Sequence, residues 1–161
     1  MLFGCKGKLA ALLMVPVAVF LASCGSFHTK SAPAGMGQEV VDGKFAFIVN
    51  QVGTSPTFGH TRAQGVYVIV SMAVRNVGTE AQRFEMAAQT LKESDGRGHS
   101  ASFIDPPSVN NIDPGLQVSV NLAFDVPPGV RATKIVLHES ASSHGAPVNL
   151  VQPPSPSPQH G

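Results

Sequence analysis

Apolar residues alternate with polar ones through the middle of the chain, from about residue 42 to residue 140, and that period of two predicts strands. The clearest run is Val66-Tyr-Val-Ile-Val-Ser-Met-Ala-Val-Arg-Asn76. In it Val66, Val68, Val70, Met72 and Val74 share one side, while Tyr67, Ser71 and Arg75 take the other. So many β-branched residues in sequence suit a central strand. A first strand over 44–52 places Phe45, Phe47 and Val49 on one face. Weaker strands are predicted over 82–86 and 90–93, and a short one over 99–103 after Asp95-Gly96-Arg97-Gly98. Over 117–125, Val118, Val120, Leu122 and Phe124 face inward, and over 133–138 Ile135 and Leu137 do the same.

Turn chemistry separates these runs. Asn76-Val77-Gly78 follows the central strand, and Pro127-Pro128-Gly129 follows the strand over 117–125. Asp113-Pro114-Gly115 has proline and glycine at the central positions of a type II turn. Residues 81–91 carry some helical character, but Phe84, Met86 and Leu91 form no stripe at 3.6-residue spacing. Six or seven short strands without a helix predict an all-β fold, an immunoglobulin-like antiparallel β-sandwich of about seven strands. Trp is absent and the Cys…Trp…Cys signature of antibody domains with it, so the expectation concerns architecture only.

Both ends read differently. Residues 1–8 carry Lys6 and Lys8 and no acid, and an uncharged run from Leu9 to Ser23 follows, interrupted by Pro16. A bilayer-spanning helix needs about 20 apolar residues, so this run predicts an export signal rather than a permanent span. Leu21-Ala22-Ser23-Cys24-Gly25 closes it. These residues resemble the lipobox of bacterial lipoproteins, in which a branched apolar residue and two small ones precede an obligatory cysteine. The resemblance implies diacylglyceryl attachment to the Cys24 sulfur and cleavage between Ser23 and Cys24. It also accounts for a lone thiol, because Cys5 lies in the leader and no internal disulfide can form afterwards. Gly25 stands where an Asp would suggest inner-membrane retention, so the outer membrane is open to this protein in a diderm host.

Four segments are therefore expected: a signal peptide over 1–23, a lipidated cysteine and flexible tether over 24–41, the sandwich over 42–140, and a Pro/Ser-rich tail over 141–161. The tail's Pro153-Pro154-Ser155-Pro156-Ser157-Pro158 predicts an extended, solvated segment with polyproline II bias. A ligand for a proline-binding partner is the alternative reading of it.

The 11 Lys and Arg residues face 10 acids, and with Lys6 and Lys8 in the leader the mature chain is close to neutral. That argues against a nucleic-acid binder and against a polybasic membrane patch. The strand and turn residues Gly43-Lys-Phe-Ala-Phe47, Tyr67-Val-Ile-Val-Ser-Met-Ala-Val-Arg-Asn-Val-Gly78, Asp113-Pro-Gly115 and Leu122-Ala-Phe-Asp-Val-Pro127 resemble a domain of unknown function widespread in bacterial lipoproteins. That domain is related to the telokin-like, immunoglobulin-like superfamily, which includes a secreted immunoprotective antigen of mycobacteria. The resemblance spans roughly 42–138 and implies the fold; it carries no catalytic residues over.

Six histidines raise the question of a metal. His28 lies in the tether, His160 in the tail, and His60 and His99 in loop or edge regions; His138 and His144 bracket the end of the last expected strand. No pair has the HxH, HxxxH or HxxEH spacing that directs two rings at one ion, so scattered surface histidines are expected, with a site from His138, His144 and a loop residue as the alternative. Asp105, Asn110, Asn111 and Asp113 carry oxygens that suit calcium, but match no EF-hand and read as turn residues. No Gly-x-Ser-x-Gly, phosphate loop or nucleophile with an evident base is present. The expectation is a non-enzymatic interaction module without metal or cofactor, anchored to the membrane through Cys24 on the extracytoplasmic face and meeting an envelope or extracellular protein. A small-ligand or metal-binding envelope protein is the alternative, and a hydrolase comes third.

Overall fold

The computed structural model describes residues 33–151. Cys24, the signal peptide, His28, His160 and the proline-rich residues 152–161 lie outside the described residues. Two five-stranded sheets face each other, joined by short turns and a two-stranded ribbon. The strands are β1 (Ala34–Gly35), β2 (Glu39–Asp42), β3 (Phe45–Phe58), β4 (Thr61–Asn76), β5 (Gln82–Arg83), β6 (Thr90–Glu93), β7 (Gly98–Ser100), β8 (Phe103–Asp105), β9 (Asn111–Ile112), β10 (Gln117–Val126), β11 (Ala132–Leu137) and β12 (Ala146–Asn149). One sheet runs β2-β3-β4-β10-β8 and the other β1-β12-β11-β6-β7, while β5 and β9 form the ribbon. A 3₁₀ turn over Met86–Ala88 is the one helical element among the described residues. The all-β sandwich expected from periodicity is what the chain forms.

The central strand behaves as its pattern demands. β4 lies between β3 and β10, and Val68, Val70, Met72 and Val74 are buried against Phe45, Phe47, Val49, Leu122 and Phe124. The opposite sheet adds Leu91, Ile135, Leu137 and Val148. Each such fully buried side chain stabilises the fold by about 1.5–3 kcal/mol, so apolar burial between the layers holds the sandwich together, and the described residues contain no cysteine. Phe45 and Phe84 meet edge to face at 6.0 Å. Leu116 N–H donates to Asp113 O at 3.0 Å and Gly115 has φ +75°, which is the type II turn expected there.

Several expectations need correction. The sandwich is wider than 42–140. Residues 34–41, expected in a flexible tether, supply β1 and most of β2, and residues 146–149, expected in the tail, supply β12. Ala34 pairs with Val148 and Gly35 with Asn149, so the first and last strands close on each other, and this pair is parallel rather than antiparallel. Pro147 fits inside β12 because β1 covers only Val148 and Asn149, leaving no neighbour to demand a proline N–H. The single strand expected over 99–103 is two: β7 pairs with β6, then the chain crosses at buried Ala101 and β8 pairs with β10 in the other sheet. The strand over 82–86 shrinks to Gln82–Arg83, because Phe84 turns into the core.

Tyr67 also departs from its pattern. It points to the outer face, as the alternation requires, yet is only 1% exposed. The β3–β4 hairpin continues to Phe58, beyond the expected strand end, and Phe58 and Phe103 enclose the Tyr67 ring at centroid distances of 6.3 and 5.9 Å. Burial, with the Asp125 carboxylate nearby, pushes the Tyr67 phenol above its ordinary value.

Candidate functional site

Polar residues gather in three places. The first is the loop after β11. Asp42, at the end of β2, accepts the Glu139 N–H at 2.7 Å and the Gly145 N–H at 3.1 Å, so one carboxylate holds both ends of the loop. Burial raises the Asp42 pKa, but the Ser143 hydroxyl, the two backbone N–H groups and His138 together bring it below its ordinary value of 3.8. Ser143 Oγ lies 3.3 Å from His138 Nδ1. Serine, histidine and aspartate thus meet, and each is also engaged with the loop. The serine hydroxyl donates to Ser140 O at 3.0 Å, and the Asp42 oxygens accept from the Glu139 and Gly145 backbone rather than from the imidazole. The cluster fixes a loop.

The second gathering is the β6–β7 hairpin. Glu93 is 8% exposed, and its carboxylate meets His99 Nε2 at 2.6 Å and accepts from Arg97 Nη2 at 3.2 Å. Arg97 reaches Asp95 through Nε at 2.8 Å. His99 pairs with Leu91 in register, which puts its ring on the inward side, where an acid partner compensates its burial.

The third is built from amides. Asn76 is fully buried; its amide nitrogen donates to Glu80 O and Ile112 O, both at 2.7 Å, and its oxygen accepts the Gly78 N–H at 2.8 Å. Gln89, also fully buried, donates to Glu85 O and His138 O and accepts the His138 N–H, extending the ladder between β6 and β11 with a side chain in place of backbone. Period-two reading places Asn76 at a turn and passes over Gln89. Neither shows a signal in a single sequence, because beside a local partner, Glu80 or Glu85, each needs one brought in from a distant element, Ile112 or His138.

The remaining candidates do not converge. His144 is exposed, and among the described residues no three His, Cys, Asp or Glu side chains are grouped to hold a metal ion. Asp105 is exposed at the end of β8, Asn111 sits in β9 opposite Arg83, Asn110 O accepts the Phe84 N–H, and Asp113 closes the type II turn. They serve strand and turn. The depressions on the surface are open and shallow. One of about 520 Å³ lies on the outer face of the second sheet and is lined by Lys92, Ser94, Thr133, Lys134, His144 and Pro147 among others. A second, of about 470 Å³, runs beside Gly65 and Asp125, whose carboxylate accepts the Gln64 and Gly65 N–H groups at 2.8 and 3.1 Å.

The sequence profile of the family described as Domain of unknown function (DUF4352) matches residues 34–148. The chain belongs to this family. The match begins and ends on the residues that pair β1 with β12, so the DUF4352 domain is the whole sandwich, both closing strands included. Two solved structures are similar in fold. The YjhA protein of Bacillus subtilis superposes with a TM-score of 0.55 at 13% identity, over 73% of this chain and 99% of that one. MPT63, a secreted protein of Mycobacterium tuberculosis, superposes with a TM-score of 0.54 at 12% identity, over 75% of this chain and 97% of that one. No curated protein matches the sequence. Among the described residues no helix is long and apolar enough to cross a membrane.

Proposed function

We propose that this DUF4352 protein is exported, acylated at Cys24 and displayed from a membrane as a non-enzymatic interaction module of the cell envelope. The observation that carries the reading is Leu21-Ala22-Ser23-Cys24 directly ahead of a sandwich whose first strand starts at Ala34. Nine residues, Gly25 to Pro33, separate Cys24 from the first strand in the sequence. Each buried methylene contributes about 0.8 kcal/mol, and two or more chains give durable attachment. Support for the non-enzymatic part comes from the polar clusters: the groups that resemble catalytic sets are occupied in holding backbone. Resemblance in fold to a secreted protein supports an extracytoplasmic location.

The test is mass analysis of the mature N-terminus in cells carrying the wild type or Cys24→Ala. Acylation at Cys24, with loss of processing and membrane retention in the variant, is expected. Normal maturation and retention of Cys24→Ala would overturn the anchor. Crosslinking in intact cells then asks for the partner, and the reading expects an envelope or extracellular protein.

A further inference from the structure

On the outer face of the β1-β12-β11-β6-β7 sheet, Lys134 of β11 stands directly opposite Lys92 of β6. Cross-strand neighbours have Cβ atoms about 4.5–5.5 Å apart, and like charges so placed repel. Among the described residues neither ammonium takes part in an ion pair. The nearest acids on the hairpin, Glu93 and Asp95, are engaged with Arg97, and Glu93 with His99 as well. A register irregularity at Thr133, between Ala132 and Lys134, bends β11 beside the pair, as bulges do where a side chain is re-aimed.

The surroundings complete a recess. The two lysines line the depression of about 520 Å³ together with Ser94, Thr133, His144 and Glu93, whose carboxylate is taken up by His99 and Arg97. Gly98 leaves space over β7: a Cβ there would lie 2.8 Å from Lys92 Nζ, so the ammonium rests across the glycine on the side of β6 away from Lys134, and its flexible stem must swing towards β11 to share a ligand with Lys134. Gly145 borders the recess at the other side, and a Cβ there would meet His138 and Val136 at 2.4 and 2.5 Å. The fold therefore sets two lysines opposite each other on neighbouring strands at one concavity, and among the described residues neither is ion-paired.

We propose that this recess binds a phosphate-class oxyanion between Lys92 and Lys134, with the Ser94 and Thr133 hydroxyls and the His144 ring at its margin. The ammonium groups act as point charges, the mode in which lysine binds phosphate. A phosphodiester lipid headgroup and a soluble phosphate share this chemistry. The site needs no acylation at Cys24, so it stands or falls apart from the anchor.

The experiment uses the full chain in uncharged detergent, titrated calorimetrically with inorganic phosphate and, separately, with glycerophosphoglycerol, at constant ionic strength. Saturable binding is expected. Lys92→Gln and Lys134→Gln should each weaken it about tenfold, the loss of one charge-assisted contact, while Lys134→Arg retains it and Lys44→Gln changes nothing. Ligand-free melting temperatures of both glutamine variants should equal or exceed the wild type, because repulsion is relieved; a purely structural role for either lysine predicts the reverse. Tighter binding of the diester assigns the source to a lipid headgroup, and tighter binding of inorganic phosphate assigns it to a free anion. Absence of saturable heat with both probes, or unchanged affinity in both glutamine variants, overturns the proposal.

Discussion

Replacing Asn76 by aspartate changes one atom type in a fully buried side chain, and the hydrogen-bond geometry makes its cost calculable. The amide nitrogen now donates to Glu80 O and Ile112 O at 2.7 Å each. In Asn76→Asp a carboxylate oxygen would face two carbonyl oxygens at that separation. The introduced group escapes by holding a proton, and keeping an acid of ordinary pKa about 3.9 protonated at pH 7 costs about 4 kcal/mol, at 1.36 kcal/mol per unit. The neutral acid donates to only one carbonyl, and the lost bond adds about 1 kcal/mol. The total, about 5 kcal/mol, is comparable to the whole stability of many domains. The sign with pH follows from linkage. The folded pKa of the new group lies above its unfolded value, so the variant is least impaired below the unfolded pKa and loses stability as pH rises towards the folded one. Urea unfolding followed by far-ultraviolet circular dichroism should show a deficit of about 1–2 kcal/mol at pH 4, growing to about 4–5 kcal/mol at pH 7. A deficit below about 1 kcal/mol, or one of the same size at both pH values, would refute the assignment of Asn76 as a buried double donor.

Other perturbations follow from single contacts. In Gly65→Ala the new methyl meets Val126 O at 2.1 Å, backbone that cannot swing aside, and thermal unfolding should register a loss of about 1–3 kcal/mol. Asp42 has its pKa lowered by folding, so its contribution is present above the unfolded value near 3.8 and lost as pH falls through the lower folded value; Asp42→Asn should flatten that acid limb of the stability curve and loosen residues 139–145 in hydrogen exchange. Phe58→Ala removes two aromatic contacts around Tyr67, for about 1–2 kcal/mol, and should speed exchange over residues 53–65 while leaving β6 and β11 protected.

Much of the fold was legible because its physical cause is local. Alternation in Val66–Val74 marks a strand with one buried face wherever that strand lies in space, and Pro114-Gly115 marks a type II turn from backbone preference alone. The missed β2 had a local signal as well: Gly43-Lys44 between Asp42 and Phe45 is a two-residue hairpin loop with glycine at its first central position, where it takes φ +56°. β12 carried almost none, since Pro147 disguises it and two residues of β1 supply its outer neighbour. The polar clusters were illegible for a different reason. Asp42 and Gly145 are 103 residues apart in sequence and Gln89 and His138 are 49 apart, so no spacing rule joins them.

By itself, then, the chain determined where the main strands would form, which of their faces would be apolar, and that a cysteine would stand after a leader-like run. Those properties depend on neighbours within a few residues, where sterics and periodicity act directly. Tertiary structure decided which strands share a sheet, where the chain passes from one sheet to the other at Ala101, and that Lys92 would face Lys134 across β6 and β11. Strand register sets those juxtapositions, and register is a collective outcome of packing two layers against each other that no short window of residues contains.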